Sequence, residues 1–364
     1  MTWAGACNEK VDEHNRIPNK LLALGIAMNK HVIRFAILCA CLTISAGKGR
    51  AQQEKRAQTG MKFLSITTDP RAAALGEAVT SLEGNSTAMF FNPASMARLH
   101  TFGDVSLGRV DWIADISYGF GSAAFRPAGG SFGVLGVSVI SVDYGNFNGT
   151  IRDPGDRGYV DTGVFSPSAW AVSLGYAKAL NDKFAVGGRI KYVNQDLGSA
   201  IVGFDEDGTY LTRGYEENVL AFDFGILYQT GFRSLGFGMN VNNFSREVKY
   251  EEEGFQLPLT FKIGLSMDAA DLLAIDREKH SFLLSVDAVH SRDYSEQINF
   301  GGEYWFAKTV ALRAGYSFPN DEHGFSAGAG FQRMSKSIGL GVDYAFTPFG
   351  VFDSVHRFAF HFSL

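Results

Sequence analysis

Residues 355–364 alternate without a break, with His356, Phe358, Phe360, Phe362 and Leu364 on one face and Arg357, Ala359, His361 and Ser363 on the other. A period of two marks a strand whose two faces meet different surroundings. Three successive Phe opposite small and charged residues is the pattern of a strand with lipid outside and a lumen behind it. The pattern recurs along the chain, while no apolar run after residue 51 approaches the ~18 to 20 residues of a membrane-spanning helix. Mean hydropathy is near zero, yet there are 42 Gly and 31 Phe against 9 Pro. Gly and aromatics at alternating positions let a transmembrane barrel escape a hydropathy plot.

From residue 104 onward fourteen alternating segments can be drawn, at 104–111, 113–125, 131–144, 167–180, 183–197, 216–229, 233–244, 255–268, 280–290, 295–306, 309–318, 324–333, 336–346 and 355–364. The faces are clean. Leu220, Phe222, Phe224, Ile226 and Tyr228 oppose Ala221, Asp223 and Gly225, and Ile338, Leu340, Val342, Tyr344 and Phe346 oppose Gly339, Gly341, Asp343 and Ala345. A soluble sandwich would put charges on its outer face and large apolar residues inside. Here the second face is Gly, Ala and Ser with isolated charges, Arg189, Lys191, Asp223, Lys262, Asp287, Glu303, Arg313 and Asp343. They are expected to face a partly filled or wet lumen.

Connection lengths point the same way. Links after even segments are short, as at 181–182 and 307–308, with 269–279 the exception, and several after odd segments are long, as at 145–166 and 198–215. Outer-membrane barrels have short periplasmic turns, long external loops and an even strand number. The expectation is an all-β, fourteen-stranded antiparallel barrel in the outer membrane with both termini periplasmic. Trp112, Tyr118, Tyr144, Trp170, Tyr176, Tyr228, Tyr304 and Tyr316, at segment ends, are expected to form interfacial girdles.

Ahead of the barrel, Lys30, His31 and Arg34 precede the apolar stretch 35–44 and a small-residue site ending at Ala51. That order reads as a secretory signal peptide over 28–51, too short to anchor, with 1–27 a non-native extension. Cys7, Cys39 and Cys41 all fall in the portion removed, so disulfides, thiolate metal sites and Cys nucleophiles are excluded from the mature chain. A lipidated Cys41 is the alternative.

No chemistry-bearing constellation follows. The remaining histidines, among them His280 and His290, show no metal spacing, and His290 and Ser291 alternate faces and cannot pair as in a hydrolase. No enzyme activity, metal or cofactor is expected, and a net charge of −5 argues against nucleic acid. The acidic run 205–207 suits a solvated external loop, or calcium.

One stretch carries a family likeness. Phe63-Leu64, the run from Asp69-Pro70-Arg71 through Gly76-Glu77-Ala78, Phe91-Asn92-Pro93-Ala94 and Trp112 to Tyr118 resemble the start of PorV/PorQ barrels. Those look like relatives of the long-chain fatty-acid (FadL-like) transporters, fourteen-stranded barrels whose N-terminal segment folds into the lumen as a hatch. The resemblance implies a hatch at 52–102 ahead of a barrel at 103–364, with Arg71, Gly76, Asn92, Pro93 and Ala94 in the hatch motif. A lumenal Arg71 needs a carboxylate, and Asp223, Asp287, Glu303 and Asp343 are candidates by face. The resemblance also implies a role in type IX protein secretion, as a shuttle or attachment component with secretion-machinery proteins and exported cargo as partners alongside outer-membrane lipid. The alternative is a transporter of hydrophobic small molecules.

The third segment breaks phase. Leu135, Val137 and Val139 are apolar at odd positions, but Ile140, Val142 and Tyr144 continue on even ones. A bulge at Val139, Ile140 and Ser141 would restore one face and open a lateral gate. The other explanation is that this part of the wall packs on an apolar hatch.

Overall fold

The computed structural model describes residues 59–364 except 153–156, 208, 273–275, 277–278, 321–323 and 336–337. The expected signal peptide and the extension before it lie outside these residues. In chain order the strands are β1 Gly103–Asp111, β2 Ser117–Phe125, β3 Val134–Asp143, β4 Phe147–Arg152, β5 Tyr159–Phe165, β6 Ser168–Ala179, β7 Phe184–Phe204, β8 Tyr210–Gln229 and β9 Gly236–Ser245. They continue as β10 Val248–Lys249, β11 Gly254–Phe255, β12 Thr260–Asp268, β13 His280–Ser291, β14 Gln297–Phe306, β15 Val310–Phe318, β16 Phe325–Ser335, β17 Ile338–Phe349 and β18 Phe352–Ser363.

Fourteen of these strands close into one antiparallel barrel, and β4–β5 and β10–β11 form two small hairpins of their own. The seam is β1 against β18, in register from Asp104 opposite Ser363 to Asp111 opposite His356. Closure leaves the barrel no open edge, which hydrocarbon would not tolerate. Outward positions are apolar around the wall, with Leu174, Phe224, Leu312 and Phe360 among the most exposed. No described helix is long and apolar enough to cross a membrane. The alternation therefore assigns faces as the sequence implies, and the fourteen expected segments each overlap a barrel strand.

Three features depart from the sequence reading. First, β7 and β8 run for 21 and 20 residues, about twice what a tilted span requires, so their far ends stand clear of the barrel wall. Second, Trp112 and Tyr118 do not join a girdle. Tyr118 is 3% exposed and packs edge-on against Trp112, whose ring also meets Phe349, inside the wall, and Tyr144 packs with the same interior cluster. Trp170, Tyr176, Tyr228 and Tyr316 do face outward.

Third, β3 contains no bulge. It pairs residue for residue with β2 and with β6, and Val139, Ile140 and Ser141 stand opposite Gly121, Phe120 and Gly119 on one side and Val172, Ala171 and Trp170 on the other. The phase break has the other cause: Ile140 and Val142 point inward and pack in the interior cluster with Phe63, Tyr118 and Phe120. With both ladders continuous, these residues form no lateral gate. A bulge does occur between β8 and β9, where Asp223 faces both Asn242 and Asn243. Asn243 takes a φ of 64°, which Asn tolerates better than most residues, and its N–H donates to Asp223 Oδ1 at 2.8 Å.

Inside the wall lies the segment 59–102. It comprises the short helix Pro70–Ala74 and 3-10 turns at Lys62–Ser65, Ser86–Phe90 and Pro93–Arg98. The inward glycines explain how it fits. A Cβ at Gly136 would come within 2.7 Å of Met89 Sδ, and one at Gly187 within 2.5 Å of the Ala94 nitrogen. The Gly-rich inner face thus reflects close packing against a chain segment rather than water.

Candidate functional site

The helix Pro70–Ala74 begins where Asp69 accepts from the Arg71 N–H at 2.7 Å, with Pro70 in the first turn, where a missing N–H costs nothing. This start aims Arg71 at the wall. Its Nε and Nη2 donate to the two oxygens of Glu303 at 2.9 and 2.7 Å. Of the four carboxylates compatible with the sequence, the partner is Glu303. Burial alone would lower the Arg71 pKa, but the adjacent Glu303 carboxylate outweighs it and holds the guanidinium firmly charged.

The pair is one end of a chain of charges. Arg313 Nε donates to Glu303 at 2.6 Å and its Nη1 reaches Asp343, and His361 Nε2 lies 2.8 Å from Asp343 Oδ2. That last contact is close but not aligned as a hydrogen bond. His361 Nδ1 is 2.6 Å from Ser106 Oγ. Serine, histidine and aspartate thus meet in sequence, yet Ser106 is fully buried and its hydroxyl also accepts from Ser86 Oγ at 3.1 Å. The series ties β1, β15, β17 and β18 to the inner segment and offers a substrate no approach to the hydroxyl.

The other lumenal charges serve the same two tasks. Asp223 holds Arg189 at 2.6 Å and Lys191 at 2.8 Å, pinning wall to wall. Asp287 accepts from the Val79 and Thr80 N–H groups at 3.0 and 2.9 Å, and Lys262 lies 3.2 Å from Glu77, pinning wall to segment. Of the eight charges, Arg189, Lys191, Asp223, Asp287, Glu303, Arg313 and Asp343 are buried and Lys262 is half-buried.

Gly76 has a φ of 60°, and a Cβ there would sit 2.7 Å from the Tyr316 nitrogen. Both facts demand glycine. Asn92 is fully buried. Its Oδ1 accepts from the Ala94 N–H at 3.1 Å, opening the turn in which Pro93 takes the first position, while its Nδ2 donates to Thr80 O at 2.7 Å and Ile226 O at 3.2 Å. Asn92, Pro93 and Ala94 therefore join two parts of the inner segment to β8. Thr59 bridges Gln256 in the long connection between β9 and β12, whereas Gly103 and Leu364 meet at the short-turn end.

Between the segment and the long connections lies a cavity of about 560 Å³. Its wall includes Leu64, Ile66, Phe90, Trp112 and Ile140 together with Lys62, Lys191, Lys262 and Arg357. Of these four cations, the sequence reading singled out Lys191 and Lys262. It missed Arg357 as a site residue, although the alternation of 355–364 already put that charge on the inner face.

A family model for the type IX secretion system membrane protein PorP/SprF matches residues 161–362. Among curated proteins no sequence matches the chain. Of solved structures, the Ralstonia pickettii toluene transporter TbuX superposes with a TM-score of 0.54 at 13% identity, over 80% of this chain and 97% of that one. The Pseudomonas putida toluene transporter TodX gives 0.53 at 12% identity, over 86% and 99%. A Pseudomonas aeruginosa FadL homologue gives 0.47 at 12% identity, over 82% and 97%. Likeness at such identity shows the fold. The family match instead spans more than half the chain, from β5 to β18, and lies beyond the residues 63–118 on which the PorV/PorQ resemblance rests. The chain is an outer-membrane β-barrel that belongs to the type IX secretion system membrane protein family PorP/SprF.

Proposed function

We propose that this barrel acts in type IX secretion as a shuttle or attachment component, holding exported proteins outside its wall while the segment 59–102 serves as a hatch. The observation that supports this is the filled lumen. Arg71 on Glu303 and the backbone of Val79 and Thr80 on Asp287 tie the segment to the strands, leaving a polypeptide no free path through the middle. Cargo and machinery then meet the rim that bears the long connections, where Val164 and Phe204 present exposed apolar surface on extended hairpins. The PorV/PorQ likeness of the inner segment supports the same role. In this reading the short turns and the two ends of the barrel face the periplasm, and the barrel carries no catalytic function.

Affinity isolation of the tagged protein from outer membranes, followed by mass spectrometry of proteins and lipids, is the test. Secretion-machinery components or exported proteins are expected above background. Recovery of small hydrophobic molecules without any protein partner would replace this reading with the second one, a transporter. That second reading draws on the 560 Å³ cavity and on the barrel fold shared with toluene transporters.

A further inference from the structure

His280, Phe306, Val310, Phe331 and Val342 stand opposite one another on the outward face of five successive strands, β13 to β17. Phe306, Val310 and Phe331 are exposed. Two residues nearer the short turns, Lys308 follows Phe306 and Arg333 follows Phe331. Both cations are exposed, and neither meets a carboxylate among the described residues. They belong to one built surface: Gln332 donates from Nε2 to Lys308 O at 3.0 Å and from its backbone N–H to Thr309 O at 2.8 Å, which fastens the β14–β15 turn to the end of β16. The neighbouring Lys279, whose carbonyl accepts from the Ala307 N–H at 2.7 Å, is already matched by Asp276 at 3.4 Å. At the other end of these strands Ile298 stands opposite Phe318, and the charge beyond Ile298 is an acid, Glu296, matched by His290. Among the described residues, unmatched positive charge thus borders the apolar row at the short-turn end.

We infer that Lys308 and Arg333 hold the phosphate of a phospholipid whose headgroup carries net negative charge, with its acyl chain on Phe306, Val310 and Phe331. Hydrocarbon already covers the apolar row of a membrane-spanning wall, so the group that meets the two cations is the one attached to that hydrocarbon. The backbones of Phe306 and Phe331 lie two strand spacings apart, roughly 10 Å, a gap that a Lys and an Arg side chain close from its two sides on one phosphate. Lysine contributes a point charge and arginine a planar fork of donors. A zwitterionic headgroup brings an ammonium of its own that offsets the attraction. An anionic headgroup does not, and each cation beside an anionic lipid surface is stabilising. The inference rests on the barrel lying in a bilayer and on neither functional reading.

The test is native mass spectrometry of the full-length barrel in non-ionic detergent with equal amounts of dioleoyl-phosphatidylglycerol and dioleoyl-phosphatidylcholine. Phosphatidylglycerol should be retained about tenfold more, as two cations beside an anionic headgroup imply. Lys308→Gln combined with Arg333→Gln should bring the two lipids level, and each single change should leave a preference of about threefold. Phe331→Ser should weaken both lipids together, and glycerol 3-phosphate, a headgroup without chains, should displace neither. Lys178→Gln, which removes a cation at the short-turn end of β6, should leave the preference intact. Equal retention by the wild type, a preference that survives the double substitution, an equal loss in Lys178→Gln, or displacement by glycerol 3-phosphate each overturns the proposal. Capture of an acidic protein through these two cations, with no preference between the lipids, overturns it as well. Heat-dependent gel mobility checks that each variant folds, and if the double variant does not, the two single changes decide.

Discussion

Arg71 and Glu303, 232 residues apart, are joined by two parallel hydrogen bonds between the inner segment and the barrel wall. The bond is asymmetric in its surroundings. Arg71 retains 29% side-chain exposure, whereas Glu303 has 1% and is held from the other side by Arg313.

That asymmetry sets the order of two substitutions. Arg71→Ala leaves Glu303 compensated by Arg313 and should cost about 2 to 3 kcal/mol, less than the ~3 to 5 for breaking a fully buried pair. Glu303→Ala removes the carboxylate both arginines share, leaving Arg313 with Asp343 and Arg71 with the weaker attraction of Asp69, and should cost more. The temperature at which the barrel loses its folded gel mobility measures both, and protease sensitivity of 59–102 should rise in each. Equal shifts would mean that Arg313 does not share Glu303.

Asn92 makes its contacts with both ends of one amide. Asn92→Ala loses a turn cap and two donated bonds, about 1 to 3 kcal/mol in all. Asn92→Asp keeps the cap but turns an oxygen toward the carbonyls of Thr80 and Ile226, which now receive an N–H. Asp should therefore be the more damaging of the two, despite its shape. An Asp variant that melts with the wild type would contradict the assigned amide orientation.

Much of this was legible from period two. Outward Phe and Leu and inward Gly and charge marked strand faces, and because a face is a property of single residues, lumenal positions such as Glu303 and Asp343 could be named. Which charge meets which could not, since pairing depends on register and on a segment more than 200 residues away. The hairpin β4–β5 and the far ends of β7 and β8 pair outside the closed barrel, where no lumen lies behind the strand and alternation fades. A bulge was sought in β3, where the apolar phase shifts, but one of the barrel's register shifts sits instead at Asn242–Asn243, where the chemistry is a left-handed Asn and an acceptor, Asp223.

The extent of the lipid belt can be read from one strand pair. Leu174 on β6 stands opposite Ile190 on β7 in mid-wall and is 66% exposed, so Leu174→Arg should cost about 2 to 4 kcal/mol in a bilayer. Phe204, at the far end of β7, is 61% exposed, but in water Phe204→Arg should stay within about 0.5 kcal/mol. Unfolding titrations in lipid vesicles compare them. Equal penalties would place the belt around the whole length of β7.

Deleting Ser141 tests the continuity of β3. Val139 and Ser141 point outward while Ile140 and Val142 pack inward, and both neighbours pair without a shift. Were there a bulge, removing one residue would bring the halves into register and stabilise the barrel. With a continuous strand, the deletion instead turns Val142 toward lipid and Asp143 toward the interior cluster, and breaks the Tyr118–Val142 pairing. A buried aspartate without a partner and a lost Val contact each cost of the order of a few kcal/mol. The deletion should therefore lower the melting temperature markedly, while Ser141→Ala, which removes an outward hydroxyl, should leave it unchanged. A deletion variant as stable as the wild type would restore the bulge that the ladders of β3 exclude.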